Sequence, residues 1–447
     1  METFNILRDG NMTKSLIKLG MPVVVAMLVM AVNNVVDTFW VARLGTLSVA
    51  AVSIAFPISL FFTGIGLTFG IGGGAYISRL LGAKQVDKAG QVASVSIITA
   101  FLMGLFTALF FYLFLPKILI FMGANNATKS LATSYSKLFI VSCVIGTINV
   151  SSGNIVVSQG ASKISGMAMV FGAVVNMLLD PIFIYTLHGG VEGAAWATII
   201  AQLLTTLIYV LYFRKSPVKV SLTRFNPTLQ IYGEVIKIGI SMLLLQFLQS
   251  LSISLLQNAA VRYGSEAVAA IGIVLKIVTL GTNVVFGFVK GLQPIAGYNY
   301  GAKNYGRVRE SIRCSLILTT SFCIVWSLVI LSFTESIIAC FGDDQGVKTI
   351  AEEALRANTI LFFTFGFQFV YSTLYTAMGK AKQTLLLNIS RQGVFFIPAI
   401  LFLPSYFGLG GVLYTQAVAD ILTTLLTLFF ALNIHRKLKQ INKTKYE

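Results

Sequence analysis

The chain repeats itself, because many of its residues recur 219 positions further along. The clearest matched pairs are Gly20 and Gly239, Arg43 and Arg262, Gly45 and Gly264, Gly82 and Gly301, and Gly160 and Gly379. One spacing that holds over most of the chain indicates two halves of equal length that fold alike. In an apolar chain, duplicated halves are typical of transporters whose cargo passes between them.

Hydrophobic residues make up 56% of the chain and charged residues only 11%. A soluble domain carries about a quarter charged residues, so this composition indicates a chain solvated by lipid. Twelve apolar stretches reach the roughly 20 residues that a spanning helix needs, and lipid tolerates no open strands. They are 17–41, 48–72, 89–115, 133–157, 164–187, 192–213, 237–260, 267–290, 310–334, 354–377, 383–405 and 409–433. The sequence predicts an all-α integral membrane protein of twelve transmembrane helices in two six-helix repeats.

The predicted domains follow from the repeat. We expect an N-lobe at 1–213 with spans one to six, a cytoplasmic inter-lobe loop at 214–236, and a C-lobe at 237–447 with spans seven to twelve. Six spans per half start both copies on the same side of the membrane, which predicts parallel repeats related by an axis along the membrane normal. The first span has no small-residue cleavage site after it and is expected to be retained.

The net charge of +17 follows the predicted topology. Most of the 33 Lys and Arg residues fall in alternate loops or in the span ends nearest to them. The positive-inside rule then predicts cytoplasmic termini at both ends, with the basic loops against anionic lipids. The basic charge therefore does not indicate nucleic acid, and we expect a monomer in a prokaryotic cytoplasmic (inner) membrane.

Glycines mark two further features. Gly82, Gly160, Gly301 and Gly379 follow spans on the inward side, where a positive φ is expected at a helix C-terminus. The glycine-rich run at 64–74 lies inside a span with no strand before it, so it predicts close helix packing rather than a nucleotide site. No GxxxxGK[ST] motif is present either, so uphill transport would draw on an ion gradient or a partner.

Two acidic residues inside spans form the strongest functional signal. Asp37 in span one and Asp180 in span five stand at similar depth, Asn176 precedes Asp180 by one turn, and Thr198 enters span six at the same level. A buried charge costs about 2.5–3.5 kcal/mol on insertion scales and is seldom kept without a use. These four residues could bind a proton or Na⁺, or the acids could simply join helices by hydrogen bonds. A supporting polar network is predicted at Asn33, Asn34, Asn149 and Asn154.

The chain resembles the multidrug and toxic compound extrusion (MATE) family. The resemblance rests on Val36-Asp37-Thr38, Tyr76 to Lys84, Asn176-x-x-x-Asp180-Pro181 and Gly190 to Thr198, in that order, together with the repeat. It implies two six-helix lobes in a V around a central cavity. It also implies export of organic cations or amphipathic drugs in exchange for Na⁺ or H⁺.

The resemblance also implies residue roles. DinF-like members use an aspartate in helix one, an Asn-x-x-x-Asp pair in helix five and a threonine in helix six, which match Asp37, Asn176, Asp180 and Thr198. NorM-like members carry acids in helices seven and ten. Here span seven has no acid, and span ten has no mid-span acid, so coupling through the C-lobe in that manner is not expected.

Three charged residues of the C-lobe lie well inside spans eight, eleven and twelve, namely Lys276, Arg391 and Asp420. Asp420 could pair with either cation and leave one positive charge. An ion pair or a snorkelling lysine is one interpretation, contact with cargo is another, and a positive charge that replaces a second cation site is a third.

These features predict a secondary active multidrug exporter that works by antiport with H⁺ or Na⁺ and needs no cofactor. A flippase of a lipid-linked saccharide or another amphiphile is the alternative. An intramembrane enzyme is not expected, because the two histidines, His188 and His435, lie at span ends.

Overall fold

The computed structural model describes residues 6–215, 225–342 and 344–443. The predicted inter-lobe loop at 214–236 lies partly outside these residues, as do both extreme termini. Among the described residues, the first half contains six long helices. They are α1 (Met12–Ala42), α2 (Thr46–Gly82), α3 (Val86–Phe121), α4 (Lys129–Ser158), α5 (Ser162–Pro181) and α6 (Gly190–Lys215).

The second half follows the same plan with more interruptions. Its helices are α7 (Leu229–Val261), α8 (Ser265–Gly301), α9 (Tyr305–Ser332), α10 (Thr334–Ala339), α11 (Gln345–Thr359), α12 (Phe363–Ala377), α13 (Ala381–Ile389) and α14 (Phe396–Lys443). A π-helical turn extends α5 over Ile182–Thr186, and another at Ser390–Phe395 joins α13 to α14. The described residues are almost entirely helical, which confirms the all-α prediction.

Ten described helical stretches are long and apolar enough to cross a membrane, and α11 with α12, bent by 48°, forms an eleventh. The last stretch, Ala381–Gln440, has 60 residues. A straight helix of that length would measure about 90 Å, roughly three times the thickness of the hydrocarbon core. Gly408, with φ 58° and ψ −137°, breaks it between the predicted spans eleven and twelve. The helices therefore supply the twelve predicted crossings.

The two halves share backbone conformation at the repeat spacing. Gly45 and Gly264 have φ of 107° and 100°, and Gly160 and Gly379 have φ of 83° and 74°. These positions lie in the turns between helices, where glycine adopts positive φ without steric cost. The sequence repeat is thus a structural repeat.

The expectation of positive φ at Gly82 and Gly301 is wrong. Both residues end helices, and the positive φ falls two residues later, on Lys84 (62°) and Lys303 (57°). The two glycines are required for a different reason. A Cβ on Gly82 would lie 1.9 Å from the Tyr298 carbonyl oxygen, so the helix ends of the two lobes touch at backbone distance.

The two lobes meet along a symmetric line of glycines, which we call the inter-lobe seam. Its members are Gly20, Gly72, Gly82, Gly239, Gly291 and Gly301. A Cβ on Gly72 would lie 2.2 Å from the Val235 carbonyl oxygen, and one on Gly291 would lie 3.1 Å from that of Leu16, the repeat mate of Val235. Helix α1 therefore crosses α8, and α2 crosses α7, about an axis that relates the lobes.

The seam occupies one end of the molecule, near the start of α1 and the end of α2. Polar contacts reinforce it there, including an ion pair from Arg79 to Glu234 at 3.1 Å and a hydrogen bond from Arg307 to the Gly10 carbonyl at 2.8 Å. Towards the other ends of these helices the side chains are exposed, with Val35 at 65% and Phe247 at 54%. The lobes therefore diverge from the seam and enclose a cleft that opens at the far end.

The close approach at the seam is testable with Gly72→Ala. Because the new methyl would collide with the backbone of α7, we expect a loss of about 1–3 kcal/mol of stability and a lower Tm in detergent. Gly233→Ala on α7 is the matched control, since its Cβ meets nothing within 4 Å. Equal Tm values for the two variants would contradict the seam.

Candidate ion-coupling site

The N-lobe acids meet where α1 packs against α5. Asn33 and Asp37 lie one turn apart on α1, and Asn176 and Asp180 lie one turn apart on α5. The amide of Asn33 donates to Asp37 Oδ2 and to Asn176 Oδ1, both at 3.1 Å, and the amide of Asn176 donates to Asp180 Oδ1 at 3.1 Å. The carboxyl groups of Asp37 and Asp180 are close enough for each to act on the other. One connected polar cluster therefore links the two helices.

The hydrogen bonds within this cluster do not satisfy all of its buried polar atoms. Three buried oxygens of the cluster have no hydrogen-bond partner among the described residues, namely Asn33 Oδ1, Asp37 Oδ1 and Asp180 Oδ2. Asp180 is only 2% exposed, so water does not solvate its carboxyl group freely. Buried acceptors without donors are costly, and two facing carboxylates repel each other. A proton or a small cation would relieve both penalties.

The backbone changes geometry immediately after Asp180. Pro181 has no amide hydrogen and leaves the carbonyl of Met177 without its usual helical donor. The helix then continues as a π-helical turn at Ile182–Thr186, in which the Leu187 amide bonds to the Ile182 carbonyl at 2.9 Å. Such turns occur often at functional sites and aim side chains differently from a regular helix.

Thr198 is not bonded to the acid cluster. Its hydroxyl donates to the Ala194 carbonyl of its own helix at 2.9 Å, and it makes no hydrogen bond to either acid among the described residues. The predicted constellation is thus brought together at Asp37, Asn176 and Asp180, with Asn33 as the additional member.

The other predicted polar residues take different places. Asn34 is exposed, and Asn154 bonds within its own helix to the Val150 carbonyl at 2.7 Å. Asn149 joins α4 to α6 by bonding to the carbonyl and side chain of Gln202, at 2.8 and 2.6 Å, and by accepting from Thr206 at 2.8 Å. It belongs to a second cluster that has no described contact with the acids.

Sequence reasoning missed three residues near these clusters. Gln202 and Thr206 follow Thr198 at one-turn intervals, a spacing that is readable in the sequence. Tyr135 on α4 is 6% exposed and close enough to Asp37 and Asp180 for their charges to act on it. Tyr135 lies six residues after the start of α4, at the same depth in the membrane as the two acids. This shared depth is the feature of the sequence from which Tyr135 could have been predicted.

The C-lobe holds a satisfied ion pair instead. Arg391, in the π-helical turn before α14, bonds to both carboxylate oxygens of Asp420 at 2.7 and 3.2 Å. Gln416 donates to the same carboxylate at 3.0 Å, and the guanidinium lies over the Phe365 ring at 4.7 Å from its centroid. Of the two cations that could pair with Asp420, Arg391 is the partner, and Lys276 is exposed without one among the described residues.

Two parallel six-helix lobes about a cleft, with an acid pair inside one lobe, define a secondary transporter of the membrane. The matching family model confirms this class. The chain belongs to the MatE family, whose model covers residues 22–182 and 238–402, one segment in each lobe. Members of this family are transporters, so the expectation that the chain is not an enzyme is confirmed.

The chain is similar over nearly its whole length to named exporters. It is 27% identical to the multidrug export protein MepA of Staphylococcus aureus strain MRSA252, over 92% of each chain. It is 26% identical to MepA of Staphylococcus haemolyticus strain JCSC1435, over 96% of this chain and 95% of the relative. These bacterial relatives and the apolar helices support a multi-pass plasma membrane protein.

Solved structures share the fold. An outward-facing multidrug resistance MATE family transporter superposes with a TM-score of 0.92 at 24% identity, covering 99% of each chain. An aspartate-to-asparagine mutant of the Vibrio cholerae MATE transporter VcmN superposes with a TM-score of 0.91 at 23% identity, over 95% of this chain and 97% of the other. At this identity the likeness shows the two-lobed fold alone.

The C-lobe ion pair generates a stability prediction. Arg391→Met would leave the Asp420 carboxylate buried with Gln416 as its remaining side-chain donor, so we expect a loss of about 3 kcal/mol. The Arg391→Met/Asp420→Asn double variant removes the stranded charge and should recover more than half of that loss. Thermal unfolding in detergent measures both variants. Additive losses in the double variant would contradict a mutually satisfied pair.

Proposed function

We propose that this protein exports small amphipathic molecules from the cell by antiport with H⁺ or Na⁺. The observation that carries the proposal is the group of unpartnered buried oxygens at Asp37, Asp180 and Asn33, which an ion can satisfy. The similarity to proteins named multidrug exporters supports the direction and the cargo. The resemblance to DinF-like members implies a coupling site at Asp37, Asn176, Asp180 and Thr198, and the acid cluster supports the first three of these residues.

Helix α1 offers the mechanical link between ion and cargo. It carries Asn33 and Asp37 at the acid cluster, and nearer its start it carries Gly20 of the inter-lobe seam and Val24, which packs against Gly287 of α8. Pro22 lies between Gly20 and Val24 and removes one helical hydrogen bond there, which allows the helix to bend. A change in how α1 packs on α5 therefore reaches the contact that holds the lobes together.

An ion can drive this change only by binding the two conformations with different affinity. In this structure one buried oxygen on each of Asp37, Asp180 and Asn33 has no hydrogen-bond donor among the described residues. An ion that enters from outside would supply the missing partner. Ion binding then holds α1 against α5 and shifts the equilibrium between the conformation whose cleft opens outward and the one whose cleft opens inward. A difference of about 1.4 kcal/mol in ion binding changes that balance ten-fold.

The ligand atoms of the acid cluster suit two ions, Na⁺ and H⁺. Carboxylate and amide oxygens suit Na⁺, which is a hard cation, and a single proton shared between two carboxyl groups also satisfies them. The two ions would therefore compete for one site. Both are substrates of the transport cycle rather than resident cofactors.

The orientation in the membrane follows from the basic residues. If both termini lie in the cytoplasm, the inter-lobe seam is at the cytoplasmic end and the cleft opens outward. The exposed lysines that follow the seam helices α2 and α8, Lys84 and Lys303, then face anionic lipid headgroups. The protein works as a monomer because each chain contains both lobes of the cleft.

The flippase alternative is less well supported. A lipid-linked pyrophosphate would need several free cations together in the cavity. Of the two predicted candidates, Arg391 is neutralised by Asp420. Lys276 and Lys290 of α8, which have no acidic partner among the described residues, stand about 21 Å apart, too far to hold one pyrophosphate together. The named relatives also point to drug export rather than to lipid transfer.

Ethidium efflux from cells that lack their own exporters tests the proposal. We expect Asp37→Asn and Asp180→Asn each to lose at least about ten-fold in efflux rate, because neither can bind the ion as the wild type does. Asp87→Asn, an exposed acid at the start of α3, is the matched control and should transport normally. Unchanged efflux in the two buried-site variants would leave the acids as helix-joining groups.

Thermal stability with and without salt identifies the ion. If Na⁺ binds at the acid cluster, it should raise the Tm of wild type more than that of Asp180→Asn, by the linkage of binding to folding. The rise should shrink as the pH falls, since protons compete for the same oxygens. Choline chloride at equal ionic strength is the control. A rise that is equal in wild type and Asp180→Asn would contradict Na⁺ binding there.

A further inference from the structure

We propose that the cleft selects amphiphiles that carry an anionic group, a carboxylate or a sulfonate, which binds to a basic stripe on α8. The basic stripe consists of Lys276, Asn283 and Lys290. The inference rests on the proposed export function and narrows the class of cargo. Three observations carry it, namely the spacing of the stripe, the direction in which it faces and the absence of acidic partners among the described residues.

The stripe runs along one face of α8. Its members stand seven residues apart, which is almost two turns of helix, so their side chains leave the helix on nearly the same side. Lys276 and Lys290 are about 21 Å apart along the axis. Lys276 is exposed, and Asn283 and Lys290 are half-buried, so the stripe passes from the open cleft towards its floor.

The opposite lobe shows which way this face points. One further step of seven residues leads to Gly297, whose Cβ would lie 2.7 Å from Cβ of Ser78 on α2. On the same side, a Cβ on Gly287 would lie 2.6 Å from Cα of Val24 on α1. Both contacts are with the N-lobe. Lys276 stands three turns outward from Gly287, where the lobes have diverged, and therefore lines the cleft.

The charges of the stripe have no acidic partner among the described residues. Asp420 is bound by Arg391, and the N-lobe acids belong to their own cluster with Asn33. Glu266, the acid at the start of α8, is ten residues before Lys276 in the chain. Its carboxylate packs against Gly346 and not against Lys276. Lys276 is about 16 Å along the axis from the start of the helix, which is farther than a lysine side chain reaches, so it is not anchored at the membrane surface.

The facing wall is apolar and completes the binding chemistry. Val35 stands three turns outward from Val24 on α1, so it is opposite Lys276, and its side chain is 65% exposed. Phe61 on α2 stands three turns outward from the seam residue Gly72 and is 45% exposed. An occupant with an apolar aromatic body and an anionic group matches both walls, whereas a simple cation gains only the apolar contacts.

Rhodamine B and its ethyl ester form a suitable probe pair, because they share a chromophore and differ in a free carboxylate. Transport of each dye is measured in proteoliposomes with an imposed ion gradient, for wild type, Lys276→Met, Lys276→Arg and Lys290→Met. We expect Lys276→Met to lower rhodamine B transport about five-fold relative to the ester, in keeping with one solvent-exposed charge pair. Lys276→Arg should retain the preference, and Lys290→Met should weaken it.

Lys117→Met is the matched control, since Lys117 is exposed on α3 and away from the cleft, and it should leave both dyes unaffected. The proposal would be overturned if Lys276→Met transported rhodamine B and the ester in the same ratio as wild type. It would also be overturned if wild type transported the ester alone. In both cases the proposed export function would still stand. Wild type that moves neither dye but exports ethidium would overturn this inference alone. Failure with ethidium as well would overturn the proposed function and this inference with it.

Discussion

The close approach of the two lobes at the inter-lobe seam is the constraint on which the rest of the structure depends. At Gly72, Gly82 and their repeat mates the helices touch at backbone distance, and no side chain larger than hydrogen fits. Lipid offers little hydrophobic drive to bring helices together, so such contact relies on packing and on hydrogen bonds across the seam. A narrow, tightly packed seam at one end obliges the lobes to diverge at the other. The cleft follows directly from that geometry.

The seam also connects the two lobes to the acid cluster, because α1 takes part in both. The lobes share a backbone plan but treat buried charge in opposite ways. In the N-lobe, Asp37 and Asp180 face each other with oxygens that have no donor. In the C-lobe, Arg391 neutralises Asp420 and donates a hydrogen bond to each of its two carboxylate oxygens, so the pair needs no ion. The first arrangement can change state when an ion binds, and the second is suited to a fixed structural role.

The sequence predicted the fold well and the site in part. Composition and spacing predicted twelve helices, and the resemblance placed Asp37, Asn176 and Asp180 in a single cluster, which the helix contacts bring about. Asn33 was predicted only as a supporting residue, yet it bridges both helices. Thr198 was expected nearby from its depth and from the resemblance, and Asn149 was expected as part of the supporting network. Depth fixes the level of a side chain in the membrane but not the direction in which its helix is rotated, and these two residues bond elsewhere.

The sequence by itself determined the membrane class, the duplication and the positions of the crossings, because hydropathy, length and repeat spacing are properties of the chain read in order. It also showed that two acids lie within spans of the N-lobe. Only the tertiary structure decided that Gly82 and Gly301 serve contact between lobes rather than turn geometry, that Arg391 rather than Lys276 neutralises Asp420, and that Lys276 faces the cleft. These outcomes depend on the rotation and crossing of helices far apart in the chain. One sequence does not record which faces meet.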